Sequence, residues 1–203
     1  MPTPGVHRII EHHAATRGDE AALVGADRTL SYRELNQRAN ALARRLLACG
    51  FRRGSRAIVR MARSPELAVV LLAILKAGGA YTWLGRDSDD AWPDGVSIVQ
   101  REEGGECGHL ALDLRQALLA PSSPGPNLPI LTRASDVACV LPARHGDPAV
   151  LVPHSTIASL RTCPMPDVAR WSHEPAALDL WVPLMAGATV WLAASAAAGT
   201  AAA

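Results

Sequence analysis

Hydrophobic residues recur at two different spacings along this chain, and the alternation of the two spacings predicts a layered fold. Apolar residues three and four positions apart predict helices over Val6 to Thr16 and from Leu30 to about Cys49. Short apolar runs bounded by turn residues predict strands at Ala21 to Val24, Arg56 to Met61 and Ala80 to Leu84. The run Leu67 to Leu75, apolar nearly all round, predicts a helix that other elements enclose.

Polar residues mark where the helices begin. Ser31 is suited to cap the second helix, with Glu34 as its capping-box partner and with Leu30 and Leu35 as a hydrophobic staple. Ser64-Pro65 opens the third helix with proline at the first helical position, where no N–H is needed. Arg38, Asn40, Arg44 and Arg45 are expected to face away from the apolar stripe of the second helix.

The second half of the chain continues the alternation with weaker signals. It predicts strands at Val96 to Val99, Val137 to Leu141, Ala149 to Val152 and Ala188 to Leu192, and helices at Leu112 to Leu119, His154 to Arg161 and Ala176 to Met185. Strands that alternate with helices are typical of an α/β fold with a layered, largely parallel sheet and flanking helices. We expect one domain over residues 1–192 and an alanine-rich tail over residues 193–203.

Composition excludes several classes of function. A net charge of +1 with scattered arginines argues against nucleic-acid binding, and the longest apolar run is too short to cross a membrane. Four widely spaced cysteines without a CxxC pair argue against a zinc site and against disulfides, so we expect a cytoplasmic protein without a secretory signal. His7, His12 and His13 lack an acidic or cysteine ligand at matching spacing and are predicted to be surface residues rather than metal ligands.

The turn from Pro142 to Pro148 decides whether this chain can handle phosphate. It joins two predicted strands just before a helix, a place where phosphates are often held. A phosphate loop needs several glycines, hydroxyl groups and usually a lysine, so that backbone N–H groups and a cation meet the charge. This turn has one glycine, two prolines and an aspartate, and Arg144 and His145 are its only candidate cations.

Two motifs carry a resemblance to a known family. The stretch Leu30-Ser31-Tyr32-Arg33-Glu34-Leu35-Asn36, and later Leu75-Lys76-Ala77-Gly78-Gly79-Ala80-Tyr81, resemble the adenylation domains of nonribosomal peptide synthetases, in the AMP-forming ligase superfamily. Ser64-Pro65-Glu66-Leu67 also looks like this family. The resemblance covers about His7 to Leu192 and implies the first part of the large N-terminal subdomain of such a domain.

The resemblance also implies where the family's functional groups would lie. Its phosphate loop, a run of Ser, Thr and Gly followed by Pro-Lys-Gly, corresponds to a shorter span here, whose remnant is Arg144, His145, Gly146 and Asp147. Asp179 is the candidate for the aspartate that holds a substrate amino group. The motifs for adenine and ribose and the subdomain with the catalytic lysine have no counterpart before residue 203, so we assign no catalytic residue and no metal ligand.

Three functional hypotheses follow from the resemblance and the turn. The first is a non-catalytic interaction or scaffolding module in nonribosomal peptide biosynthesis, whose partner is a synthetase-type protein or a second copy bound through the C-terminal third. The second is half of a split enzyme that adenylates an amino or aryl acid with ATP and Mg²⁺ once another chain completes it. The third is a decayed gene fragment without function. Under the first hypothesis the chain is not an enzyme and needs no cofactor.

Overall fold

A computed structural model describes residues 5–84, 95–100, 108–112, 125–141, 149–162, 168–171 and 178–192. Its α-helices are α1 (Val6–Thr16), α2 (Tyr32–Ala48), α3 (Pro65–Lys76), α4 (His154–Ser159) and α5 (Leu178–Ala186), and a 3₁₀ turn, Leu160–Thr162, follows α4. Its strands are β1 (Ala21–Val24), β2 (Thr29–Ser31), β3 (Arg56–Arg60), β4 (Ala80–Trp83), β5 (Gly95–Gln100), β6 (Gly108–Leu112), β7 (Val137–Leu141), β8 (Val150–Pro153), β9 (Val168–Trp171) and β10 (Thr189–Leu192).

The strands form two sheets, and each sheet contains both parallel and antiparallel pairs. One sheet has four strands in the order β2-β1-β10-β9, and the other has six in the order β6-β5-β3-β4-β7-β8. The pairs β1/β10, β10/β9, β3/β4 and β4/β7 are parallel, whereas β1/β2, β3/β5, β5/β6 and β7/β8 are antiparallel. The predicted α/β class is confirmed, and both sheets are mixed because short connections return a strand antiparallel to its neighbour.

Local sequence fixes the ends of α2 and α3 as predicted. The Ser31 hydroxyl accepts a hydrogen bond from the Glu34 N–H at 3.2 Å, and the Glu34 carboxylate accepts one from the Ser31 N–H at 2.9 Å. At the other end, Gly50 adopts φ 93°, and the Phe51 N–H donates to the Leu46 carbonyl at 2.9 Å. This is a Schellman ending, which favours glycine because other residues rarely adopt that φ. Ser64 caps α3 in the same way as Ser31 caps α2.

The core is built around α3, as its composition predicts. Every residue of this helix from Leu67 to Lys76 is buried. The helix packs against α1, α2 and β4, so its whole circumference is covered. The Trp181 indole N–H of α5 donates to the Tyr81 hydroxyl of β4 at 2.6 Å, and this hydrogen bond links α5 to β4.

Several expectations need correction or lie outside the described residues. Asn40 is buried rather than facing away, because its amide donates to the Asn127 side chain at 3.0 Å. The short strands β2, β6 and β9 were not predicted, since three to five residues carry too weak a periodicity. The predicted helix Leu112 to Leu119 lies outside the described residues except for Leu112, which ends β6. The alanine-rich tail, residues 193–203, also lies outside them.

None of the helices in the described ranges is long and apolar enough to cross a membrane.

Replacing a leucine of the enclosed helix α3 by alanine tests this placement of the core. Leu71 is fully buried and Leu151 is 49% exposed, so the two leucines form a matched pair. Leu71→Ala should lower the free energy of unfolding by about 2–5 kcal/mol, through lost transfer energy and a residual cavity. Leu151→Ala should cost less than about 0.5 kcal/mol. Urea melts of both variants measure the difference, and equal losses would show that the core lies elsewhere.

Candidate functional site

The strands that flank the predicted phosphate loop form an antiparallel pair. Leu141 of β7 faces Val150 of β8 at the end nearest the loop, and α4 begins at His154, directly after β8. The two predicted strands and the helix that follows them are therefore confirmed. The remnant residues Arg144, His145, Gly146 and Asp147 lie outside the described residues, and their role stays a prediction.

Polar contacts hold the end of the β7/β8 pair that lies opposite the predicted loop. The His154 N–H donates to the Asp136 carbonyl at 3.0 Å, and the Ser155 N–H donates to the Ala134 carbonyl at 2.8 Å. The Asp136 carboxylate accepts two hydrogen bonds from the Arg53 guanidinium, at 2.8 and 2.9 Å. This pair lowers the pKa of Asp136, because the guanidinium stabilises the carboxylate. The start of α4 is thus tied to the segment before β7.

Asp179, the candidate for a substrate contact, lies in the first turn of α5 and is half-buried. It precedes Leu180 and Trp181, which are fully buried, so the backbone at this point is held by packing. A carboxylate at a helix N-terminus is stabilised by the helix dipole. Asp179 therefore lies at a helix position that favours an acidic side chain, and its contact with a substrate stays a prediction.

Two histidines form a buried pair beside the start of α4. The imidazole rings of His7 and His154 lie 5.7 Å apart, edge to face, and both side chains are buried. The prediction that His7 is a surface residue was wrong, because His7 follows the apolar face of α1 at positions i, i+3 and i+7 with Ile10 and Ala14. A helical projection of the sequence carries that signal.

The other two histidines of α1 differ in exposure. His12 is exposed, and His13 is half-buried, with its imidazole N–H donating to the Met185 carbonyl at 2.9 Å. In the part of the chain that the structure describes, no three His, Cys, Asp or Glu side chains are grouped to hold a metal ion.

A buried ion pair lies next to the histidines. The Lys76 ammonium contacts the Glu11 carboxylate, and the Arg8 guanidinium contacts the same carboxylate at 2.5 Å. Burial lowers the pKa of Lys76 to about 8, although the Glu11 carboxylate opposes this shift. Sequence reasoning missed the pair, because Glu11 and Lys76 stand 65 residues apart and the contact depends on how α1 packs on α3.

The sequence is similar to known proteins of one family. The model of the AMP-binding enzyme family matches residues 10–91. Tyrocidine synthase 3 from Brevibacillus parabrevis is 33% identical over 175 residues, which cover 76% of this chain and 3% of the synthase. Malpibaldin synthetase from Mortierella alpina is 46% identical over 76 residues, which cover 37% of this chain and 1% of the synthetase.

Solved structures agree with the sequence matches. The N-terminal subdomain of NpsA from Klebsiella oxytoca matches with a TM-score of 0.76 at 23% identity, over 95% of this chain and 56% of that chain. The chain corresponds to the N-terminal part of a nonribosomal peptide synthetase adenylation domain. This adenylation-type chain spans only a few per cent of the length of the curated synthetases that it matches.

The matched region contains the two motifs that carried the resemblance. Leu30 to Asn36 forms the capped start of α2, and Leu75 to Tyr81 forms the end of α3, its glycine turn and the start of β4. Gly78 in that turn adopts φ 86°, and the Gly79 backbone lies so close to the Phe51 ring that a Cβ would clash. The family motifs of this adenylation-type chain therefore fix backbone turns and packing around α3.

The buried histidines predict a pH-dependent stability. Burial lowers the pKa of His154 from 6.5 to about 4, and burial together with the charges of His154 and Lys76 lowers the pKa of His7. The unfolded chain thus binds more protons than the folded chain in this window. The free energy of unfolding should fall as the pH drops from 6.5 towards 4, by on the order of 3 kcal/mol for His154.

Urea melts over this pH range measure the effect. His154→Leu should flatten the dependence, because leucine carries no titratable group, whereas His12→Leu, at an exposed position, should leave it unchanged. An unaltered pH dependence in His154→Leu would contradict the assignment.

Breaking the buried ion pair should be costly. Glu11→Gln leaves the Lys76 ammonium enclosed without its carboxylate, and the free energy of unfolding should fall by about 3–5 kcal/mol. The double variant Glu11→Leu with Lys76→Met should regain most of this loss, since it removes both charges. As a control, Glu20→Gln breaks the exposed pair with Arg17 and should leave the thermal midpoint unchanged. Calorimetric melts measure these changes. A Glu11→Gln variant as stable as the wild-type chain would show that the Lys76 ammonium does not need the buried Glu11 carboxylate.

Proposed function

We propose that this adenylation-type chain does not adenylate a carboxylate itself and acts in the cytoplasm as an interaction module in nonribosomal peptide biosynthesis. The observation that carries the proposal is the composition of residues 142–148, which contain two prolines and an aspartate but no lysine, serine or threonine. Prolines lack the N–H that would meet a phosphate oxygen, and the aspartate repels it.

Adenylation depends on groups of the kind that this loop lacks. The reaction builds negative charge on the phosphate under attack, and fixed donors and cations lower the barrier by stabilising that charge. Removal of a single such donor typically costs about 10²- to 10³-fold in rate. In this loop the hydroxyl donors and the lysine are absent together, and Arg144 and His145 remain as the only cations.

The scaffold around the loop, in contrast, keeps its structural residues. The capping box of α2, the Schellman ending at Gly50 and the anchoring of Asp136 by Arg53 are all formed. Removal of an N-cap such as Ser31 typically costs about 0.5–2 kcal/mol of stability. The presence of these features supports a folded module over a decayed gene fragment.

Exposed apolar side chains in the C-terminal third support an interaction surface. Val150 and Leu151 of the edge strand β8 are 53% and 49% exposed, and Trp191 of β10 is 48% exposed. An edge strand offers unpaired N–H and C=O groups to a partner, and large exposed apolar residues are typical of interfaces. The matching stretch of tyrocidine synthase 3 is 3% of a much longer chain. We propose a synthetase-type protein as the partner, and a second copy bound through the same C-terminal third is the alternative.

One comparison favours a second candidate, half of a split adenylating enzyme. The N-terminal subdomain of NpsA is in complex with anthranilyl-AMSN, and this chain matches it with a TM-score of 0.74 at 23% identity. If another chain completed the present one, the complex would use ATP and Mg²⁺ to activate an amino or aryl acid. Asp179 would then be the residue to hold a substrate amino group.

Nucleotide binding separates the two candidates. We expect that calorimetry with Mg-ATP will show no saturable heat for the purified chain, and that amino-acid-dependent pyrophosphate exchange will stay at background. Arg144→Ala and Arg52→Ala form a matched pair of arginine removals, inside and outside the loop. Saturable ATP binding that is lost in Arg144→Ala and kept in Arg52→Ala would overturn the proposal and favour the split enzyme.

Sedimentation velocity tests the partner. In equimolar mixtures with each nonribosomal peptide synthetase of the host, one should co-sediment with the wild-type chain, and the double variant Leu151→Asp with Trp191→Asp should not. Wild-type chain that sediments alone as a monomer in every mixture would exclude a synthetase partner. Self-association that the double variant abolishes would assign the surface to a homodimer.

A further inference from the structure

A surface cavity of about 720 Å³ lies between α1, the 3₁₀ turn after α4 and the end of α5. None of the described residues that line it carries a carboxylate, and two arginines and two histidines are among them: Arg8, Arg161, His12 and His13. Ile9 and Met185 give it an apolar floor. We call this cavity the basic groove. The family resemblance assigns no role in adenylation to the residues that line the basic groove.

Charges inside the protein leave the basic groove positive. Arg8 contacts Glu11, but the same carboxylate also contacts the buried Lys76, so one negative charge serves two cations. Arg161 is exposed, and no ion pair within the described part of the chain includes it. The chain as a whole carries a net charge of only +1, so this concentration of positive charge is local.

One wall of the basic groove is fixed in place. The His13 imidazole donates to the Met185 carbonyl at 2.9 Å and lies 5.5 Å from the Tyr32 ring. The Tyr32 hydroxyl in turn contacts backbone carbonyls on both sides of Met185, Leu184 at 3.1 Å and Ala188 at 2.8 Å. The end of α5 is therefore held against α1, which preserves the groove, while His12 and Arg161 stay accessible to a ligand.

We infer that the basic groove binds an acidic segment of the synthetase-type partner, an inference that rests on the proposed interaction function. The arginines Arg8 and Arg161 lie on two separate elements above an apolar floor, which suits carboxylates on an extended chain together with an apolar side chain. A small anion would need donors that converge on one point. Charge complementarity of this kind speeds association and selects partners.

A labelled hexaglutamate peptide with a central leucine is the probe for this groove, with a hexalysine peptide of the same design as its control. We expect saturable fluorescence anisotropy for the acidic peptide at low salt, and weakening as salt screens the charges. Arg161→Glu should weaken binding about tenfold, because it removes an attraction and adds a repulsion. Arg161→Lys should retain most of the affinity, and Arg52→Glu, the same charge change at an exposed position outside the groove, should leave it unchanged.

Three results would overturn the inference. They are no binding of the acidic peptide, equal weakening by Arg161→Glu and Arg52→Glu, and complete displacement by inorganic phosphate at the same concentration of charge. The last would indicate a site for small anions. Failure of this inference is distinguishable from failure of the proposed function. If the Arg161→Glu variant still co-sediments with a synthetase, only the assignment of the basic groove is wrong. If calorimetry shows ATP binding, only the non-catalytic assignment is wrong.

Discussion

The enclosure of α3 is the constraint on which the rest of this structure depends. A helix that is apolar on all faces gains stability only where other elements cover every side, and here α1, α2 and β4 provide that cover. The enclosure extends to Lys76 in the last turn, whose ammonium needs a carboxylate once it is out of water. Glu11 of α1 supplies it and thereby fixes α1 on the core.

The position of α1 has consequences at both of its ends. Near its start, His7 packs against His154, the first residue of α4, so the core contacts the end of the β7/β8 pair opposite the predicted phosphate loop. Near its end, His13 and Tyr32 hold α5 through backbone carbonyls and leave the basic groove open to solvent. The packing of α1 thus positions both the strand pair that flanks the predicted phosphate loop and the surface to which we assign an acidic partner. The scaffold can persist without the chemistry, because packing in the core maintains the scaffold, whereas phosphate binding depends on a few loop residues.

Features that depend on nearby residues could be predicted from the sequence. The capping box at Ser31, the proline start of α3, the glycine ending of α2 and the burial of Leu67 to Leu75 all follow from residues within a few positions of one another. The α/β class followed from the alternation of the elements, but strand direction at the sheet edges did not, because an apolar run has no direction. The family resemblance was also local, and it came from the motifs at both ends of the α2 to β4 region.

Contacts between distant residues could not be predicted. Asn40 is buried and its amide donates to Asn127, which is 87 residues away in the chain, and Glu11 meets Lys76 only after α1 docks on α3. His7 is an intermediate case, because its position on the apolar face of α1 was readable but its ring partner was not. The candidate site residues Arg144 to Asp147 lie outside the described residues, and the case against catalysis therefore rests on their chemistry.

Hydrogen exchange with and without Mg-ATP tests that case most directly. A bound ligand slows the opening of the segments around it, so the backbone amides of β7, β8 and α4 report on any nucleotide held by the loop between them. The account predicts that these amides exchange at the same rate whether or not saturating Mg-ATP is present. Slower exchange in these three elements on addition of Mg-ATP, with the amides of α2 unchanged, would contradict it and show that the loop still holds a nucleotide.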